Sequence, residues 1–247
     1  MTYCVGMILQ RGLVMMSDTR TNSGVDNIST FRKMFSWQVP GERMIAVMTA
    51  GNLATTQAVV SQLEERTKEP DERNNTLIKG KTMFNVATEI GRLLRQTIED
   101  VQGANGANGK GRFTASIIVA GQIAGMEPRL FMIYPEGNFI EASWDTPFFQ
   151  IGETKYGRPI IIRGYDRTMS FEDAVKLLMV SFDSTLKANL SVGLPLDLLI
   201  IGKDEFGPTH QHRVTADDPY FAEISANWGD ALRSAFHSLP GYSFDSA

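Results

Sequence analysis

The chain has 247 residues, of which 43% are hydrophobic and 21% charged, with a formal net charge of −4. That balance fits a globular protein able to bury a sizeable core, and the lack of any basic patch interleaved with aromatics argues against a nucleic-acid partner. The single cysteine, Cys4, excludes an internal disulfide and suits a reducing compartment. No apolar run is long enough for a membrane helix, and the start lacks a secretory pattern, so the expectation is a cytoplasmic protein.

The first fifty residues read as strands. Val5–Leu9 and Leu13–Ser17 flank the Gly-containing turn Gln10-Arg11-Gly12, which predicts a hairpin. Met34–Val39 and Met44–Thr49 flank Pro40-Gly41 in the same way. Neither pair keeps a clean polar face, which suits strands covered on both sides. Helical spacing follows over residues 52–67, with Leu53, Val59, Val60 and Leu63 along one stripe. After the polar stretch Lys68–Thr76, Met83–Val101 carries a stronger three-and-four apolar repeat. The glycine-rich segment Gln102–Arg112 breaks it.

Strands resume at Thr114–Ala120, Arg129–Tyr134, Phe139–Ala142 and Phe148–Ile151. A helix is predicted from Phe171 to about Lys187, with Ser170 as its cap and Asp173 three residues on. Leu196–Ile201 and His210–Val214 read as strands. A last helix begins at Asp218-Pro219, where Asp can cap and Pro suits the first turn. Helices and strands are grouped rather than alternating, so the class is α+β: one domain of two mostly antiparallel sheets with helices on their outer faces.

The chemistry centres on the amino terminus. Removal of Met1 ahead of the small Thr2 would leave a terminal threonine, whose α-amine can serve as base for its own hydroxyl. An α-amine titrates near 8, so a useful fraction is neutral at physiological pH. In the predicted hairpin Leu9 pairs roughly with Leu13, which brings Thr2 near Asp18–Arg20. Asp18 can then orient a nearby cation, and Lys33 is placed to favour deprotonation of the threonine hydroxyl. Thr49–Asn52 reads as a strand turning into a helix at Ala-Gly, where exposed N–H groups can stabilise an oxyanion.

Thr2 behind a start methionine, Ser17-Asp18, Lys33 and Ala50-Gly51, in that order and spacing, resemble the proteasome β-subunit family of N-terminal nucleophile hydrolases, which includes the bacterial peptidase HslV. MTYCVGM, SDTRTNSGVDNISTFRKM, TAGNLA and QIGETKYG are similar to its bacterial proteasome-like branch, Anbu. The resemblance implies a four-layer αββα sandwich over residues 1–247, a ring-shaped or helical homo-oligomer, and peptide or another amide as substrate. It implies a threonine-peptidase site of Thr2, Asp18 and Lys33, with the Gly51 amide as oxyanion donor and no cofactor. An ATPase partner is not specified by the sequence. Two stretches depart from the family pattern: Gly152-Glu153-Thr154 stands where a Gly-Ser-Gly serine supports the amine, and Asn189 stands where the family has a carboxylate. Those departures keep two alternatives open, a catalytically silent self-assembling scaffold and a small-amide hydrolase of the same fold.

Other candidates carry less chemistry. Cys4 reads as a buried strand cysteine. His210 and His212 share a strand face but lack further metal ligands. The GANGANGKG stretch lacks a phosphate-loop ending and reads as a surface loop. Trp144, Phe148 and Phe149 fit core or subunit-interface packing better than a substrate cleft.

Overall fold

The computed structural model describes residues 2–22, 28–68, 76–104 and 113–244. Two five-stranded sheets lie at its centre. The first has the order β10-β1-β2-β11-β12, built from β1 (Tyr3–Leu9), β2 (Gly12–Asp18), β10 (Phe148–Gly152), β11 (Leu196–Gly202) and β12 (His210–Val214). The second has the order β5-β6-β7-β8-β9, from β5 (Met34–Val39), β6 (Arg43–Gly51), β7 (Ala115–Ile123), β8 (Arg129–Ile133) and β9 (Phe139–Glu141). Every pairing in both sheets is antiparallel.

Strand alternation sorts the core into three layers. Tyr3, Val5, Met7 and Leu9 of β1 point outward onto α4 (Arg158–Gly164), α5 (Phe171–Ala188) and α6 (Pro219–His237), where they meet Leu178, Phe182 and Phe221. The opposite face of that sheet, with Cys4, Leu13, Met15 and Leu199, packs against Met44, Met48 and Ile118 of the second sheet. The far side of the second sheet is covered by α1 (Leu53–Lys68), α2 (Thr76–Lys79) and α3 (Met83–Ala104), through residues such as Val59, Leu77 and Ile90. The result is the αββα sandwich. Gly6 faces the seam between the sheets, and a Cβ there would lie 3.0 Å from Leu130 Cδ1.

The hairpin register differs from the prediction by one residue. Leu9 pairs with Gly12 and Ile8 with Leu13, because Gly12 is drawn into the strand at a φ of +142° and leaves only Gln10 and Arg11 in the turn. β5 is also less enclosed than expected. As an edge strand it leaves Ser36 and Gln38 exposed and Phe35 and Trp37 only half-buried. Four elements carry no signal that sequence periodicity detects: the ribbon of β3 (Arg20–Asn22) and β4 (Ile28–Thr30), and the short helices α2 and α4. The predicted loop around GANGANGKG lies largely outside the described residues.

Candidate active site

Thr2 stands immediately before β1, and three neighbours hold its main chain. Its carbonyl accepts a hydrogen bond from the Glu153 N–H at 2.6 Å. Gly152, at a φ of +85°, passes so close that a Cβ would fall 2.0 Å from the Thr2 carbonyl oxygen, so no other residue fits there without moving Thr2. The next N–H, that of Tyr3, donates to Asp18 Oδ1 at 3.0 Å.

Tyr3 is itself anchored on the helix side of the sheet. Gln150 Nε2 donates to its hydroxyl at 2.6 Å, the hydroxyl meets Ser181 Oγ at 2.7 Å, and Ser181 in turn donates to the Gly157 carbonyl at 3.1 Å. With Ser181 committed to that carbonyl, the tyrosine O–H is the donor of its pair. Burial pushes the tyrosine's pKa up, so it stays a neutral phenol.

Asp18, the last residue of β2, is fully buried and Lys33 is 5% exposed. Lys33 Nζ donates to Asp18 Oδ1 at 2.7 Å and to the Arg20 carbonyl at 2.6 Å. The second carboxylate oxygen faces the Gly193 N–H at 3.4 Å. Burial pushes the Asp18 carboxyl above the usual carboxylate range, opposed by Lys33 and then by the two backbone N–H groups. The Lys33 main chain is fixed as well, since its carbonyl accepts from the Thr49 N–H at 2.9 Å and so ties it to β6.

At the far end of β6, Gly51 adopts a φ of +119°, and a Cβ there would lie 2.4 Å from the Thr114 carbonyl. Asn52 follows and accepts at Oδ1 from the Thr55 N–H at 3.1 Å, so the strand turns into α1 with a polar cap. Thr2, Lys33, Thr49, Gly51, Asn52 and Gly152 together line a cleft of about 660 Å³. The sequence-derived candidates Thr2, Lys33 and Gly51 therefore share one cavity, and Asp18 stands behind Lys33 as its buried counter-charge. A hydroxyl, an ammonium and a strand-to-helix turn around one cleft are the parts an acyl-transfer site needs.

The remaining candidates lie elsewhere. Cys4 is buried, with its thiol pointed at the Thr49 carbonyl at 3.7 Å and its pKa pushed up by burial, so it is not a thiolate nucleophile. His210 and His212 lie on β12 with ring centroids 6.2 Å apart, and His212 Nε2 engages Asp218 at 2.8 Å. Among the described residues no cluster of three or more His, Cys, Asp or Glu is arranged to hold a metal. Phe149 is buried between the sheets, Phe148 packs on the helix side and Trp144 is exposed; none of the three lines the cleft. Sequence reasoning did not anticipate Tyr3, Gly193 or the Arg20 carbonyl, whose roles arise from backbone groups and from residues distant in the chain.

The two departing positions meet each other. Asn189, the C-cap of α5, donates from Nδ2 to Glu153 Oε2 at 2.9 Å, and the Lys155 N–H donates to Glu153 Oε1 at 2.8 Å.

Comparison with known proteins agrees with this fold. The family model for proteasome subunits matches residues 2–201. A proteasome subunit beta from Methanopyrus kandleri is 23% identical over 207 residues, spanning 83% of this chain and 88% of its own. Anbu (ancestral beta-subunit) from Yersinia bercovieri superposes with a TM-score of 0.90 at 48% identity, covering 98% of this chain and all of its own length (100%). The chain in the helical assembly of the Anbu complex from Pseudomonas aeruginosa gives 0.91 at 42% identity, with 99% and 100% covered. This chain belongs to the proteasome-subunit family, within its bacterial Anbu branch.

Proposed function

We propose that the protein is an N-terminal threonine hydrolase acting on peptide or other amide bonds, with Thr2 as nucleophile once Met1 is removed. The observation that carries this reading is the convergence of Thr2, Lys33 and Gly51 on one cleft, with Asp18 buried against Lys33 at 2.7 Å. In this mechanism the Thr2 hydroxyl attacks the amide carbonyl and its proton passes to the α-amine. The Lys33 ammonium lowers the hydroxyl's pKa, and Asp18 holds Lys33 in place. The oxyanion forms beside Gly51, where the main-chain N–H stabilises it. The amine returns the proton to the leaving nitrogen, and water then hydrolyses the acyl-threonine ester. No step calls for a cofactor.

The test is covalent. Wild-type protein, with Met1 removal verified by intact mass, is treated with a threonine-directed peptide inhibitor, and the adduct is located by peptide mapping. An adduct on Thr2 that is absent from Thr2→Ala supports the hydrolase. A correctly processed, assembled chain that never reacts at Thr2 supports the silent scaffold instead.

Self-assembly belongs to the same proposal. The Pseudomonas aeruginosa relative is a helical assembly. In this chain Phe236, Leu239, Tyr242 and Phe244 are 64–88% exposed along the end of α6 and the segment after it, an apolar run suited to burial between copies. Sedimentation at micromolar concentration is expected to show a large homo-oligomer, and a stable monomer would contradict it. No helix among the described residues is long and apolar enough to cross a membrane.

A further inference from the structure

Two carboxylates flank the start of β1, and their surroundings differ. Asp18 is already matched: Lys33 and the Tyr3 N–H share its Oδ1, and the Gly193 N–H faces its Oδ2. Glu153 is 7% exposed, yet the bonds to its carboxylate come from the Asn189 amide and the Lys155 N–H, both neutral donors. Among the described residues no lysine, arginine or histidine forms an ion pair with it. A buried carboxylate held only by neutral donors is costly unless a cation joins it.

Glu153 is also the residue opposite Thr2. The ladder pairs Tyr3 with Gly152, and the next contact along is the 2.6 Å bond from the Glu153 N–H to the Thr2 carbonyl. The left-handed backbone at Gly152 redirects the chain at this point, and the Glu153 side chain reaches Asn189 at the C-terminal end of α5. That helix end presents its last carbonyls and attracts positive charge.

We propose that Glu153 is a positioning residue, and that its carboxylate holds the α-ammonium of Thr2 created when Met1 is hydrolytically removed. This rests on the reading of Thr2 as the mature amino terminus. Of the two acidic residues bonded to the main chain at Thr2 and Tyr3, Asp18 is already matched to Lys33, while Glu153 has no cationic partner among the described residues, and the ammonium pairs with the second. The pairing fixes the amine's direction relative to the Thr2 hydroxyl. It also favours the protonated amine, so the neutral form that acts as base becomes available only at higher pH.

Other charged and titratable groups also act around the amine, among them Arg32, which lines the same cleft, and Arg20, whose guanidinium donates to the Leu190 carbonyl at 3.1 Å. Lys33 opposes its protonation and Asp18 offsets Lys33, while the Tyr3 phenol and Cys4 thiol are buried with raised pKa values and stay neutral. On α5, Asp183 is paired with Lys187 at 2.9 Å. Lys155 is exposed beyond the strand end.

The experiment titrates the amine without turnover. Full-length chain starting at Thr2 is released from an amino-terminal fusion, and the rate of α-amine acylation by a small anhydride is followed by peptide mapping from neutral to alkaline pH. Glu153→Gln is expected to lower the amine's pKa by about one unit, and Glu153→Asp to retain most of the wild-type value. Asn189→Ala, which keeps the carboxylate and removes one neutral donor, is the second variant should Glu153→Gln fold poorly; its amine is expected to keep or raise its pKa. The same midpoint in wild type and Glu153→Gln, or a fallen midpoint in Asn189→Ala, would overturn the proposal. Because the readout needs no turnover, an inert Thr2 hydroxyl would refute the hydrolase without touching this result.

Discussion

Lys33 and Asp18 meet at 2.7 Å in a site where the carboxylate is wholly enclosed and the lysine nearly so. In such a pair burial costs the carboxylate's charge more than the lysine returns, so the pair serves the site rather than the stability of the fold. Asp18→Asn keeps the shape but leaves the ammonium without its counter-charge. It is expected to slow covalent labelling of Thr2 by two orders of magnitude or more with little loss of stability, because burial already penalises the charged form of Asp18. Lys33→Met is expected to be comparably harmful to labelling. The double variant should lose much less than the sum of the two, as for groups acting as a unit. Labelling rates and denaturant melts of the three variants measure both effects.

The raised pKa of Asp18 gives this pair a pH signature. As pH falls, Asp18 takes up its proton earlier than an ordinary carboxylate, and Lys33 loses its partner while surface carboxylates remain ionised. Thr2 labelling should therefore show an acid limb above the usual carboxylate range. Stability should not follow the same curve. A carboxyl whose pKa is higher folded than unfolded binds its proton more readily in the native state, so its protonation favours the fold as pH falls. Thermal melts across the same pH range are expected to show no matching loss, and Asp18→Asn should remove the limb from the residual labelling rate.

Much of this was legible in the sequence because strong patterns have short-range causes. The β1–β2 hairpin, the amphipathic α3 and the Ser170 and Asp218 caps were predictable from turn residues, spacing and capping chemistry. Ser170 Oγ indeed accepts from the Asp173 N–H at 3.0 Å, and Asp218 Oδ1 from the Phe221 N–H at 2.8 Å. The α4 segment RPIIIRG was not, since three consecutive isoleucines show neither a helical nor a strand period. Thr2, Asp18, Lys33 and Gly51 could be named by residue type and order. The groups that hold them could not, because the Gly193 N–H and the Arg20 carbonyl are backbone atoms, which every residue offers. The Glu153–Asn189 bond joins positions separated by 36 residues, and only the tertiary fold brings them together.

Gly152→Ala tests how tightly Thr2 is placed. The added methyl would meet the Thr2 carbonyl oxygen at 2.0 Å and the Thr2 Cβ at 3.1 Å, on a backbone with a φ of +85°. Left-handed strain for a non-glycine residue costs on the order of 1–2 kcal/mol, and relief of the contact must shift Thr2. Labelling of Thr2 is expected to fall at least a hundredfold, with assembly preserved. Gly125→Ala, also at positive φ (+78°) but with nothing within 4 Å of the added carbon, serves as control. It should lose similar stability and keep normal labelling. Intact-mass labelling kinetics beside sedimentation separate the two.

Tyr3→Phe separates placement of Thr2 from contact with substrate. The Tyr3 ring lies on the helix side of the first sheet, 4.4 Å from the Phe182 ring centroid, and it does not line the cleft. Removing the hydroxyl takes the acceptor from Gln150 Nε2 and the donor from Ser181 Oγ, both buried. Leaving such groups unpaired costs about 1–3 kcal/mol, which in a chain of this size lowers the melting temperature by about 2–4 °C per kcal/mol. The loosened residue is joined directly to Thr2, so the labelling rate should fall about tenfold, while a reversible peptide aldehyde, bound through the cleft walls, should lose little of its initial affinity. Phe182→Leu, which disturbs the same ring without breaking a hydrogen bond, is expected to lower stability and leave the rate near wild type. If both variants slowed labelling in proportion to their loss of stability, the Tyr3 hydroxyl would be acting on the fold alone and not on the placement of Thr2.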